Sequence, residues 1–367
     1  MSVFEEIAFA KGACRRLIMS MITAIGLIRK TSFPRRRESR ISGPLTFLLS
    51  VPFCVLLLPT LALFVFLPPA HAADIKADLT LATGYRVADL NWNIAGSSNN
   101  PNVLSELTWS DLQTLHIAVS GRALVGDWLY LRGSLGYGYT FSGDNQDSDY
   151  AGDNRSQEYS RSSNSGDGGS VLDAVIGAGY RFSLLSSRFK LAPLLGYRYS
   201  RQKLKQTDGV QVIATPAKGT PAAGPLRGLD STYDASWLGP WLGFDLSFDM
   251  TERITLFGSF EYHRASFDAE GNLNLRSDLA HPKSYEHDAD AKGFLITLGA
   301  EYHLSGPWAV NLSFNYQEWS TDPGVDRLYA ANGSVQETRL NEVHWDSWSW
   351  MVGLVYRFGD KPVVSDQ

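Results

Sequence analysis

From Asp74 onward, one pattern recurs: long runs in which apolar side chains alternate residue by residue with small or charged ones. In WLYLRGSLGYGYTF, residues 128–141, Leu129, Leu131, Leu135, Tyr137, Tyr139 and Phe141 fall on one face of an extended chain. Tyr130, Arg132, Ser134, Gly136, Gly138 and Thr140 fall on the other. Residues 309–318 and 346–358 repeat the arrangement, the latter setting Trp348, Trp350, Val352, Leu354, Tyr356 and Phe358 against Ser347, Ser349, Gly353 and Arg357. A period of two means strand, because successive side chains of a strand point to opposite faces. In each run the apolar face carries aromatics near its ends, while the polar face holds small or charged residues. A water-soluble sandwich turns its apolar face inward. A membrane barrel turns it to lipid, with aromatic girdles at both interfaces and a polar lumen.

Segments of this type span 75–86, 103–121, 127–141, 170–182, 188–203, 232–248, 252–268, 291–304, 307–319 and 342–358. Their number is even, as a bacterial barrel requires. Short connections (near 125–127, 183–187, 249–252 and 305–306) alternate with long ones at 87–102, 142–169, 204–231, 269–290 and 320–341. Short periplasmic turns and long external loops produce this alternation. A soluble β-sandwich also has many alternating strands, but its strands are shorter and its aromatics lie inside. The sequence therefore predicts an all-β fold: a ten-stranded antiparallel transmembrane β-barrel with long extracellular loops and short periplasmic turns, located in the outer membrane.

The N-terminus fits that address. Phe47 to Leu67 is apolar, Arg35, Arg36, Arg37 and Arg40 precede it, and Ala70 and Ala72 follow at small-residue cleavage positions. Basic region, apolar region and A-x-A form a secretory signal; a retained anchor is the rival reading. TSFPRRRESR resembles a translated bacterial intergenic repeat, so we expect a start codon downstream of Met1. We assign 1–72 to the signal region and 73–367 to the barrel. Both cysteines, Cys14 and Cys54, fall in the excluded part, leaving the mature chain without thiol chemistry. Mean hydropathy near zero excludes a helical membrane bundle, and 33 basic against 38 acidic residues gives nucleic acid nothing to bind.

Titratable groups concentrate in two long connections. SGDNQDSDYAGD, residues 142–153, carries Asp144, Asp147, Asp149 and Asp153, and the fourth outer loop carries Asp278, His281, Glu286, His287, Asp288 and Asp290. Asp- and Asn-rich sequence most often forms a solvated loop. A calcium loop counted from Asp147 has Gly152 and Glu158 in place, but Ala151 and Arg155 occupy ligand positions and the flanks are strands, so no metal is expected. No other cofactor motif is present. Closing a ten-stranded sheet sets the second and fourth outer loops on opposite walls of the rim, where carboxylates would face histidine with a carboxylate, the usual composition of a general base. His116, His263 and His303 fall on lumen-facing phases with Glu106, Glu261, Glu301, Arg132, Arg198 and Arg357, and read as a structural ion network filling a small lumen.

Two local stretches carry a family resemblance. LSELTW at 104–109 resembles a Leu/Trp motif in the second strand of the omptins, ten-stranded outer-membrane aspartyl-type endopeptidases, and NQDSDY at 145–150 resembles their second-loop Asp-x-Asp followed by an aromatic. HPKSY at 281–285 resembles the order of histidine, proline, lysine and tyrosine in their fourth loop. The resemblance implies an aspartate pair, Asp147 and Asp149, facing an acid–histidine dyad, Asp278 and His281, with a water between them that attacks a peptide bond. It also implies lipopolysaccharide as a lipid partner. The family spaces its acid and histidine as Asp-x-His, whereas this chain has Asp278-Leu-Ala-His281. Residues three apart on a strand lie on opposite faces, so Asp278 reaches His281 only through a bulge or turn.

Three functions follow as expectations: an omptin-like surface endopeptidase acting on protein or peptide substrates, a non-catalytic barrel of the same fold serving as adhesin or structural element, and a small porin. The last ranks lowest, because ten strands leave little lumen once Arg, Glu and His side chains occupy it.

Overall fold

The structure, a computed structural model, describes residues 75–184 and 188–358. The assigned signal region, and the boundary at 73, lie outside the described residues. Fourteen strands form a single sheet: β1 (Ile75–Ile94), β2 (Ser105–Val125), β3 (Leu129–Gly152), β4 (Ser156–Ser165), β5 (Ser170–Tyr180), β6 (Phe182–Leu184), β7 (Phe189–Ile213), β8 (Gly224–Pro225), β9 (Asp230–Asp249), β10 (Ile254–Asn272), β11 (Tyr285–His303), β12 (Trp308–Thr321), β13 (Gly324–Tyr329) and β14 (Val335–Phe358). Ten of them, β1, β2, β3, β5, β7, β9, β10, β11, β12 and β14, run antiparallel around a ring. The ring closes where β1 meets β14, from Ala77 opposite Phe358 to Asn93 opposite Glu342. Closure leaves no sheet edge to be satisfied in lipid, which is why a spanning sheet must be a barrel.

The predicted alternation is realised across the membrane band. Leu135, Tyr137, Tyr139 and Phe141 are exposed on the outside of β3, whereas Tyr130, Gly136, Gly138 and Thr140 are buried in the lumen. Aromatics gird both ends of the apolar belt. Trp128, Tyr180, Trp308 and Tyr356 pack in pairs near the short turns, and Tyr85, Phe141 and Trp348 near the long connections.

The structure departs from expectation in the long connections, which are largely sheet. β3 continues through Gly152, turns, and returns as β4, which pairs with both β3 and β7. SGDNQDSDYAGD is thus mostly strand rather than wet loop. Polar composition favours a loop only where backbone groups can bond to water. Here neighbouring strands of the extended wall satisfy them in a ladder. β13 plays the same part in the fifth connection, pairing with β11 and β14.

The core lies inside the outer half of the ring. Trp92, Trp109, Tyr233, Trp237, Phe267, Tyr285, Trp319 and Trp345 are buried together with Leu90, Leu107, Leu204 and Leu340. Trp319 and Trp345 stack at 6.0 Å and 17°. A Cβ on Gly293 would lie 2.5 Å from the Trp319 ring, so only glycine lets β11 pass behind it. Apolar packing against both walls turns this half of the barrel into a plug.

Candidate functional site

A bulge sets the faces at the barrel mouth. Between Ser110 and Gln113 the β2–β3 register shifts, and Asp111 takes a positive φ of 52°. Below the bulge the lumen-facing residues of both strands are even-numbered, with Thr114 and His116 on β2 and Thr140 on β3. Above it they are odd-numbered, with Leu107 and Trp109 on β2 and Asn145 on β3. A one-residue slip exchanges the faces of every residue beyond it. Asp147 pairs with Leu107, and Asp149 with Ser105, so both carboxylates project from the inner face of the mouth. The same slip corrects one expectation: Glu106 leaves the lumen phase and pairs with Arg155 at 2.7 Å on the other face.

The two aspartates differ in surroundings. Ser105 and Ser160 donate hydrogen bonds to Asp149, yet its burial still holds the carboxyl above the ordinary carboxylate range. Burial, reinforced by the neighbouring Asp149, pushes Asp147 well above that range, opposed by Arg276. The charge of Asp147 also bears on the buried Tyr285 hydroxyl across the mouth.

The fourth loop does not arrange its residues as a histidine–carboxylate dyad. Asp278 accepts two hydrogen bonds from Arg276, at 2.8 Å from Nε and 2.7 Å from Nη2, which hold its carboxyl down at about 2. His281 lies instead against Asn272 and the Arg276 carbonyl, with Nδ1 2.7 Å from Asn272 Oδ1 and Nε2 3.2 Å from the carbonyl oxygen. A turn at Ser277 and Asp278 and a bridge at Leu279 precede His281, and Arg276 takes the acid. The charge of Arg276 also opposes the rise of the Asp147 and Asp149 carboxyls, while its hydrogen bonds go to Asp278.

One residue pair escaped the sequence reading. His287 follows Tyr285 on the lumen face of β11 and is 2% exposed. Its Nδ1 lies 2.9 Å from the Tyr233 hydroxyl, its Nε2 lies 3.3 Å from Asp326, and its ring meets Trp92 edge-on at 4.8 Å. Glu286, its neighbour in sequence, faces outward to Lys283 and Arg327. The alternation Tyr285, His287, Ala289, Ala291 would have placed His287 inside. Nothing local pointed to Asp326, which arrives from the fifth connection.

Beneath the aromatic plug, a cavity of about 780 Å³ occupies the inner half of the lumen. Ion pairs brace its walls: Arg86 to Asp173 at 2.8 Å, Arg132 to Glu261 at 2.6 Å and to Asp245 at 3.2 Å, His263 to Glu261 at 3.0 Å, and Arg357 to Glu301. His116, His263 and His303 all sit in this network, each within 4 Å of a carboxylate. Charged groups removed from water need such pairing.

A closed ten-stranded ring with a lipid-facing apolar belt, a charged lumen and an extended outer wall is an outer-membrane β-barrel. Residues 80–358 match the family described as Protochlamydia outer membrane protein (Pom), and the chain belongs to that family. Among solved structures, the outer membrane protease OmpT from Escherichia coli is similar with a TM-score of 0.64 and 15% identity, covering 79% of this chain and 99% of that one. That likeness establishes the shared fold. The translocator domain of autotransporter NalP from Neisseria meningitidis matches at a TM-score of 0.34 with 12% identity, covering 85% of this chain and 98% of that one. No protein of curated function matches the sequence.

Proposed function

We propose that this barrel is a non-catalytic outer-membrane surface protein that binds basic ligands at an acidic mouth, with its lumen closed to through-flow by the aromatic plug. The observation that carries the reading is the engagement of Asp278 by Arg276, which leaves His281 oriented by an amide and a carbonyl rather than by an acid. Acidic residues outnumber basic ones six to two in 142–169, and again six to two in 266–291. A field of that sign concentrates cations at the rim. The signal region is taken to end at residue 72, and lipopolysaccharide to be the lipid that meets the outer part of the apolar belt.

An endopeptidase is the second reading, favoured by one observation: Asp147 and Asp149 share the inner face of the mouth with perturbed carboxyls, as groups that handle protons do. The experiment incubates protein refolded with lipopolysaccharide with a library of basic peptides, recording both binding and cleavage. Binding without cleavage is the expected result. Cleavage abolished by Asp149→Ala and by His281→Ala would replace the binding reading with the peptidase.

A further inference from the structure

We propose that the lumen cavity binds free α-amino acids from the periplasm, with Arg122 receiving the carboxylate and Asp78 the ammonium. The mouth has no part in this site. What points to it is a pair of opposite charges, side by side on the cavity wall, that no neighbour neutralises at contact distance.

Strand register sets the pair in place. Asp78 lies directly opposite both Arg357 and Arg122, and Arg122 directly opposite Arg132, so one row across β14, β1, β2 and β3 reads Arg357, Asp78, Arg122, Arg132. All four line the cavity. Residues so opposed hold their Cβ atoms about 5 Å apart. The two outer arginines are committed elsewhere. Arg357 donates to Glu301 and reaches His303 Nε2 at 2.7 Å. Arg132 donates to Glu261 at 2.6 Å and lies 3.2 Å from Asp245. Among the described residues, neither Asp78 nor Arg122 has a hydrogen bond or an ion pair within 4.0 Å, to each other or to any third group. Arg122 is directed across the lumen instead, its guanidinium carbon 5.4 Å from the centroid of the Phe257 ring. Phe257 belongs to β10, which stands diametrically opposite β2 in the ring of ten strands. The ring has room there because residue 299 on β11 is glycine, and a Cβ at that position would overlap it. A guanidinium held over a ring face spends none of its five N–H donors on it.

The signs of the two groups select the ligand. A simple anion drawn to Arg122 is repelled by Asp78, and a simple cation meets the reverse. A zwitterion satisfies both. An α-amino acid carries its two charges on one carbon, which suits two side chains rooted at directly opposed positions. Guanidinium takes a carboxylate through two parallel bonds, and a carboxylate accepts from an ammonium, both of them charge-assisted and strong. The cavity of about 780 Å³ continues beyond the pair. It runs down to Thr251 and Glu252 of a short turn, and up to an uncharged strip where Thr297 donates to Asn315 at 2.9 Å and Asn315 to Ser349 at 3.3 Å. Large side chains are therefore admitted as readily as small ones, and recognition rests on the two charges. The aromatic plug closes the far end, so exchange is with the periplasm.

The test titrates the full-length protein, refolded in detergent micelles, with L-serine, N-acetylserine and serinamide in a calorimeter. N-acetylserine lacks the ammonium and serinamide lacks the carboxylate, so each should bind about tenfold more weakly than serine. Asp78→Asn should weaken serine by the same factor and leave N-acetylserine as in the wild type. Arg122→Gln should weaken serine and leave serinamide unchanged. Gel mobility confirms that each variant is folded, and the ligand series on the wild type tests the pair even where a variant fails to fold. N-acetylserine bound as tightly as serine overturns the zwitterion site in favour of a simple anion site at Arg122. Serine binding that both variants leave unaltered overturns the placement, and no binding of any of the three ligands overturns the proposal outright.

Discussion

Replacing Trp237 with alanine tests whether packed aromatics, rather than the hydrogen-bonded wall alone, hold the outer half of this barrel. Trp237 is fully buried, with ring centroids 4.4 Å from Phe267, 5.5 Å from Trp319 and 6.0 Å from Trp345. Its Nε1 donates to Gln202 Oε1 at 3.1 Å, and Gln202 is itself 2% exposed. Truncating a buried tryptophan costs about 3–5 kcal/mol, and an amide oxygen stranded without its donor costs about 1–3 kcal/mol. The two overlap when the cavity admits water, so Trp237→Ala should lose about 4 kcal/mol. Trp237→Phe keeps most of the ring contacts and loses only the donor, so it should lose about 1–3 kcal/mol. Urea unfolding in lipid vesicles, followed by the gel-mobility difference between folded and unfolded barrel, measures both. A loss below about 0.5 kcal/mol for Trp237→Ala, or equal losses for Ala and Phe, would refute the reasoning. The same plug predicts no conductance by the wild type in planar bilayers, and its appearance when Trp237, Trp319 and Trp345 are all alanine. Stepwise conductance by the wild type would show that the lumen is open.

Further perturbations probe the charges. Because burial raises the Asp147 carboxyl above its ordinary 3.8, the folded state holds that proton more tightly than the unfolded state. Stability should therefore fall as pH rises from that value through the raised one. Asp147→Asn should flatten the slope of the urea midpoint between about pH 4 and pH 8, and an unaltered slope would exclude Asp147 as its source. Asp278 has the opposite sign: its bond with Arg276 is present above 3.8 and is lost as pH falls through about 2, so exchange in the fourth loop should rise in acid before the barrel unfolds. In the lumen, Arg132→Met removes the 2.6 Å bond to Glu261, which keeps Arg198 and His263, and the pair with Asp245, which keeps the Tyr130 hydroxyl, and should cost about 1.5–3 kcal/mol in the same urea assay. Adding Glu261→Gln should recover part of that loss, and no recovery would mean that the ion pair is not the stabilising element.

What the sequence determined by itself is the wall. Period-two alternation, aromatics at the ends of the apolar faces, and the exchange of short with long connections all follow from one constraint, that a strand crossing a membrane meets lipid on one side and lumen on the other. That constraint acts on every residue locally, so Leu135, Tyr137 and Tyr139 carry it in their own spacing. The same alternation of connections leads to the expectation that Asp147 and Asp149 lie in an outer connection, with the fourth on the opposite wall. What only the tertiary structure decided is where those side chains point and what they meet. The slip at Asp111 reverses the inward phase beyond it, so that Asp149 faces inward and Glu106 does not. The partners are also distant in sequence: Arg86 finds Asp173 87 residues on, His287 finds Asp326 in another connection, and Arg276 rather than His281 takes Asp278. Ring closure sets those meetings, and no local spacing records which charge will stand opposite which.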